Sequence, residues 1–173
     1  MAQERFFEPK HFIVSKTDLR GVITYANQSF LDVAMYTQME LIGRPHSMIR
    51  HPDMPRCVFH LLWQTIQSGE EIFAYVKNQC KNGDYYWVLA YVTPEFHPKT
   101  KEVIGYDSFR RVPSRRAIEE IELLYDLLLK EERKFTHKKK AIEASTALLL
   151  RLLEDKGVSY KRFILDLIAQ HGN

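Results

Sequence analysis

A chain of 173 residues, 45% apolar and 12% aromatic, can bury a real core, which excludes wholesale disorder. Its net charge of +3 is too small to argue for nucleic acid. Cys57 and Cys80 have no metal spacing and make no disulfide framework, which fits a reducing cytoplasm.

The first ten residues lack an apolar signal region, and no apolar run approaches the roughly 18 residues of a membrane span. A soluble protein is expected, reaching any membrane through a partner. Residues 1–10 carry Phe6, Phe7 and Pro9 among charges and read as a short helix or arm that caps the core. Residues 11–16 and 22–25 read as strands joined by a tight turn at Thr17–Gly21. Asn27 is placed to cap a helix with Phe30, Val33 and Ala34 at helical spacing. Thr37 and Glu40 form a capping box for a second, short helix ending at Gly43.

Residues 43–63 hold three of the seven His, three Arg and one Asp within apolar surroundings. Pro45, Pro52 and Pro55 rule out one regular helix or a central strand over 43–55. That stretch reads as a shaped connection lining a cofactor pocket. From Pro55 a helix follows, with Val58, Phe59, Leu62, Trp63 and Ile66 on one face, ending at Gly69.

Residues 71–79 read as a strand with Ile72, Ala74, Val76 and Asn78 on one face. Asn82-Gly83 signals a two-residue hairpin into a strand at 84–93, and 94–100 a loop before the last strand, 103–111. Both faces of this meander are apolar or aromatic, so its outer face is expected to be covered. After Val112-Pro113 the pattern turns helical: Ser114 to about 134, about 139–155, and a third helix capped by Ser159. The basic run at 134–140 reads as a solvated link, with contact to anionic lipid or an acidic receptor as the other reading.

This element order carries Asn27-Gln-Ser-Phe30, Gly43-Arg-Pro-His-Ser-Met-Ile-Arg-His-Pro-Asp-Met-Pro55, Leu62-Trp63 and Asn78-Gln-Cys-Lys-Asn-Gly-Asp-Tyr-Tyr-Trp87. So composed, residues 12–111 resemble a PAS domain of the aerotaxis-receptor (Aer) type, which holds FAD non-covalently. The full length is similar to the CetB type, the soluble PAS partner in bipartite energy-taxis receptors. Its membrane-bound partner, a CetA-like chemoreceptor, lacks a PAS domain of its own.

The resemblance implies an α+β protein: a PAS fold, an antiparallel sheet with helices on one face, followed by an α-helical C-terminal extension. The implied parts are an N-terminal arm or cap at 1–11, a sensor domain at 12–111 and a helical signalling extension at 114–173. It implies FAD between segment 37–66 and the inner face of the sheet. Arg50, His51 and Asp53 match the flavin-binding Arg-His-Pro-Asp segment. Trp63 matches a residue beside the ring, and Asn78 one that hydrogen-bonds its edge. His46 lies where related flavin PAS domains carry a polar or acidic group, and Asn27 completes the cofactor-binding set. His51 and Asp53 have a second reading, as a pair that orders the loop.

The implied function is a cytoplasmic redox or energy-taxis sensor, peripheral to the inner membrane through its receptor, with a homodimer left open. His46, His51, His60 and His97 keep a haem-binding gas sensor open, and a cofactor-free interaction module is the third reading. No nucleophile–base pair and no Gly-rich phosphate loop stands out, so no catalysis and no metal site are expected.

Overall fold

Two hydrogen-bonding devices set the start of the sheet. β1 (Ile13–Thr17) and β2 (Ile23–Ala26) form a hairpin whose turn is organised by Asp18. The Asp18 carboxylate accepts from the Arg20 and Val22 amides at 2.8 and 3.0 Å, and Gly21 takes the φ of 80° that the turn needs. The computed structural model describes residues 1–172. Within them, α1 (Gln28–Ala34), α2 (Gln38–Leu41), a 3-10 turn (His46–Ile49) and α3 (Arg56–Gln67) precede β3 (Ile72–Gln79), β4 (Tyr85–Phe96) and β5 (Val103–Arg111). Three helices follow, α4 (Arg115–Glu132), α5 (Lys138–Asp155) and α6 (Tyr160–His171).

The five strands form one antiparallel sheet in the order β2-β1-β5-β4-β3, so β1 pairs with the last strand. The α+β class expected from the sequence is the one observed. Register aligns one inward row: Asn78 opposite Tyr86, Val76 opposite Val88, Ala74 opposite Ala90, Ala90 opposite Arg110, and Arg110 opposite Ile13. On the other face Tyr75, Trp87 and Leu89 are buried, as a covered outer face requires, whereas Phe12 and Phe109 stay exposed and pair at 4.8 Å.

Three local expectations change. Asn82-Gly83 is not a two-residue hairpin: Gln79 pairs with Tyr85, and the loop closes through a Cys80 N–H to Asp84 carbonyl bond of 2.7 Å. The Asn82 side chain organises this longer loop by accepting from the Asp84 amide. β4 runs past 93 through Pro94 to Phe96. Its β3 pairing ends at Val92, so at Pro94 the missing N–H faces no neighbour. Ser114 makes no side-chain cap to α4, while Ser159 caps α6 as expected. Of the two readings of the first ten residues, helix or arm, the structure has the arm: it is extended, with Arg5 N–H donating to the Tyr85 carbonyl at 2.7 Å and the Tyr85 N–H to the Gln3 carbonyl at 3.0 Å.

The chain divides into two compact units, one of residues 1–52 and 65–112, the other of residues 53–64 with the segment from Pro113 on. In the second, α4 packs against both α5 and α6, and Ile121, Tyr125, Leu128, Leu149, Leu153, Ile164 and Leu167 on the three helices are buried. Glu132, at the end of α4, is buried. It accepts from the Cys57 amide at 3.1 Å and from the Ser145 hydroxyl at 2.9 Å. Among the described residues no helix is long and apolar enough to cross a membrane.

Candidate functional site

Polar groups are sparse in the core, and their placement is uneven. Of the buried polar residues Ser15, Asn78, Arg110, Glu132 and Ser145, the first three share the inward face of the sheet. Beside them stand Ala74 and Ala90, whose short side chains leave the sheet low at its middle. A flat ligand needs such a surface: small residues below it and a few placed polar groups at its edges.

Arg110 is the most unusual of these residues. It is 2% exposed and among the largest fully buried side chains in the protein. Nη2 donates to the Ser15 hydroxyl at 2.6 Å, and the guanidinium carbon lies 4.3 Å from the centre of the Phe30 ring. Nε and Nη1 have no hydrogen-bond partner, and Arg110 has no carboxylate partner among the described residues. Burial lowers its pKa to about 10, which leaves the group charged at neutral pH. Burial of Tyr86, on the same face, pushes its phenol well above the usual range and keeps it neutral.

Ser15 passes the interaction on. Because its oxygen accepts from Arg110, its proton points to His46 Nε2, 3.0 Å away. That network assigns the His46 proton to Nδ1. As a residue His46 is partly exposed, but its ring stacks on Phe30 at 5.9 Å. Burial, and then the Arg110 charge, lower its pKa to about 3. The folded pKa lies below the unfolded value of 6.5, so His46 supports stability fully above pH 6.5. That support is lost as pH falls towards 3, because the unfolded chain then binds the extra proton. His46→Gln is therefore expected to flatten the acid limb, by roughly 2 kcal/mol between pH 7 and pH 5. Urea unfolding at stepped pH measures it; an unchanged limb would place the acid sensitivity elsewhere.

The stretch carrying His46 is a strap. Its start is tied to β2, one edge of the sheet: Ile23 N–H donates to the Arg44 carbonyl at 2.8 Å and Gly43 N–H to the Ile23 carbonyl at 2.8 Å. Its end is tied to β3, the other edge, by an Arg50–Asn78 bridge and by the His51 N–H to Lys77 carbonyl bond of 3.3 Å. Between them the His46–Ser15 bond and the buried Ile49 hold it to the inward face. Edge strands expose unpaired backbone groups, and the strap occupies both.

The structure thus brings Arg50, Asn78 and His46 to one face of the first unit. Burial lowers the Arg50 pKa to about 10, still charged at neutral pH. His51 packs edge-on against Tyr85 at 5.7 Å, in the outward row, where the Lys77 ammonium also lies 4.3 Å from the Tyr85 ring centre. Asn27 is engaged by the protein itself. Its Oδ1 accepts from the Phe30 amide at 3.1 Å and the Val14 amide at 3.0 Å, and its Nδ2 donates to the Phe12 carbonyl at 2.8 Å. Asp53 and Trp63 belong to the second unit, Trp63 on α3. Sequence reasoning missed Arg110 and Ser15. The available signal was an arginine two residues from Ser108 and four from Tyr106 in a strand, which is the same face at period two.

The PAS-fold family model matches residues 23–110. The aerotaxis receptor of Escherichia coli is 43% identical over 116 residues, which are 67% of this chain and 22% of the receptor's length. A PAS domain from Colwellia psychrerythraea superposes with a TM-score of 0.54 at 18% identity, covering 59% of this chain and 86% of that domain. The LOV domain of a blue-light-activated histidine kinase from Erythrobacter litoralis does so at 0.53 and 16%, covering 57% and 93%.

Proposed function

This chain belongs to the PAS-fold family, and from that premise we propose that it is a redox sensor that binds FAD non-covalently on the inward face of its sheet. The observation that carries the reading is Arg110, a buried guanidinium with two N–H-bearing nitrogens left over and no counter-charge. Such a group is costly unless something polar or anionic meets it. The edge of an isoalloxazine ring presents carbonyl oxygens and ring nitrogens that accept hydrogen bonds, and Ala74 and Ala90 leave a flat surface beside it. FAD, when bound, supplies an electron-accepting ring whose charge and protonation change on reduction.

In this reading Asn78 offers the ring edge both a donor and an acceptor. Arg50 holds a phosphate oxygen of the dinucleotide with its planar fork. His51 and Asn27 act one step away, ordering the strap and the start of α1. Asp53 is taken as loop-ordering too, and Trp63 as an aromatic neighbour of the ring, on the family resemblance alone. The helices after Ser114 pass the state on to a membrane-bound chemoreceptor lacking its own PAS domain, a CetA-like partner, with this chain in the cytoplasm in the manner of the CetB type. PAS modules of this kind are sensors, not enzymes.

The absorption spectrum of the purified protein, before and after incubation with FAD, tests this. Flavin bands are expected. A Soret band would move the assignment to haem, and a folded protein that takes up neither cofactor would leave an interaction module. Trp63→Ala is expected to weaken FAD retention at least tenfold on gel filtration, the loss of a large aromatic contact of about 1.4 kcal/mol or more. Undiminished retention would remove Trp63 from the site.

A further inference from the structure

We propose that Arg110 sets the redox preference of the bound flavin, holding the negative charge that the ring gains on reduction. This rests on the flavin reading above and assigns a residue and a role beyond it. The inference comes from what is missing around the guanidinium. Ser15 takes one of its nitrogens and the Phe30 face covers one side. Neither is an anion, and the charge is buried. Taking a charge out of water costs several kcal/mol, and one neutral hydrogen bond does not repay it.

A neutral oxidised ring would satisfy the two remaining nitrogens only as a hydrogen-bond acceptor. A reduced ring would bring the counter-charge as well. In the balanced step, a dihydronicotinamide electron donor loses a C–H bond and delivers two electrons and one proton. The proton ends on the ring nitrogen N5, the added negative charge spreads over the N1–C2 carbonyl edge, and the donor leaves as a nicotinamide cation. Arg110 interacts more strongly with the product side of that step than with the reactant side. Differential interaction of this kind shifts the equilibrium towards the reduced form.

Ser15 and His46 hold the guanidinium in register. The neutral His46 ring accepts the Ser15 proton, which leaves the Ser15 oxygen turned to Arg110. No other cation is needed on this face, since the charge is already central to the sheet, opposite Ala90 and Ile13.

The test is a dye-referenced redox titration of the full chain loaded with FAD, as wild type, Arg110→Met and Arg110→Lys. Arg110→Met is expected to lower the preference for reduced over oxidised ring at least tenfold, about 30 mV for a two-electron couple. Arg110→Lys, which keeps the charge but not the fork, should fall between. A purely structural arginine would predict a different second readout. In the cofactor-free protein Arg110→Met should unfold at the same temperature as wild type or higher, because an uncompensated charge has gone. FAD retained at an unchanged potential in Arg110→Met would overturn the inference while leaving the flavin reading intact. Failure of the wild type to take up FAD would overturn both. If Met abolishes FAD uptake while Lys preserves it at a lowered potential, the charge itself is confirmed as the contact.

Discussion

Gly105→Ala will destabilise the protein by about 3 kcal/mol or more, one of the largest effects expected of a single methyl group here. Gly105 lies in β5 where β1 turns into its hairpin. A Cβ at this position would sit 2.4 Å from the Thr17 carbonyl oxygen, 3.5 Å from its carbon and 3.8 Å from the Asp18 Cα. All three are backbone atoms, so no side-chain rotation relieves the overlap. The Thr17–Tyr106 pairing must open, and Thr17 is the last paired residue of β1. The loss will appear in urea unfolding as a lowered midpoint at constant slope. The same substitution at Gly83 or Gly157, where nothing lies within 4 Å of the new Cβ, meets only the cost of a positive φ. A loss below about 1 kcal/mol at Gly105 would mean that the hairpin shifts to accept the methyl.

Glu132→Ala will cost about 3 kcal/mol. The Glu132 carboxylate is 7% exposed at the end of α4, where an acidic group opposes its own helix dipole. It is retained because it also faces the start of α3. There the Cys57 amide, one of the unsatisfied donors of a helix N-terminus, donates to it, and Ser145 from α5 donates to the same oxygen. Removing the carboxylate strands the buried Cys57 amide, at about 1–3 kcal/mol, and leaves the Ser145 hydroxyl only the longer bond to the Ile142 carbonyl, 3.3 Å. Glu132→Gln keeps an acceptor in place and should cost less than half as much. A double-mutant cycle with Ser145→Ala should show coupling well above 0.5 kcal/mol. Additive losses would mean that Ser145 and Glu132 do not support one another.

Much of this was readable in the sequence, and the limits have physical causes. Period-two alternation placed Asn78 on the inward face with Ile72, Ala74 and Val76, because apolar residues mark which row is buried. In β5 the same period gives two mixed rows, Gly105-Asp107-Phe109 and Tyr106-Ser108-Arg110, and neither is plainly apolar. Only pairing with Ala90 and Ile13 decides that the arginine row faces in. The Thr37–Glu40 capping box was legible in full, since all its atoms lie within four residues. Glu132 was not: its partner Cys57 is 75 residues away, and local patterns carry no record of such a contact. The proline-rich stretch announced itself by composition. Its role as a strap required knowing that β2 and β3 are opposite edges of one sheet.

The pairing of β1 with β5 governs how this protein is made. The first hairpin leaves the ribosome with one side of β1 unpaired, and its partner strand does not begin until Val103. At about 5–20 residues per second that interval lasts several seconds. Throughout it Ile13 and Ser15 have no neighbour on that side, and the inward row that Arg110 completes does not yet exist. The sheet therefore cannot be completed before the last strand has emerged, and its formation is non-local and slow by topology.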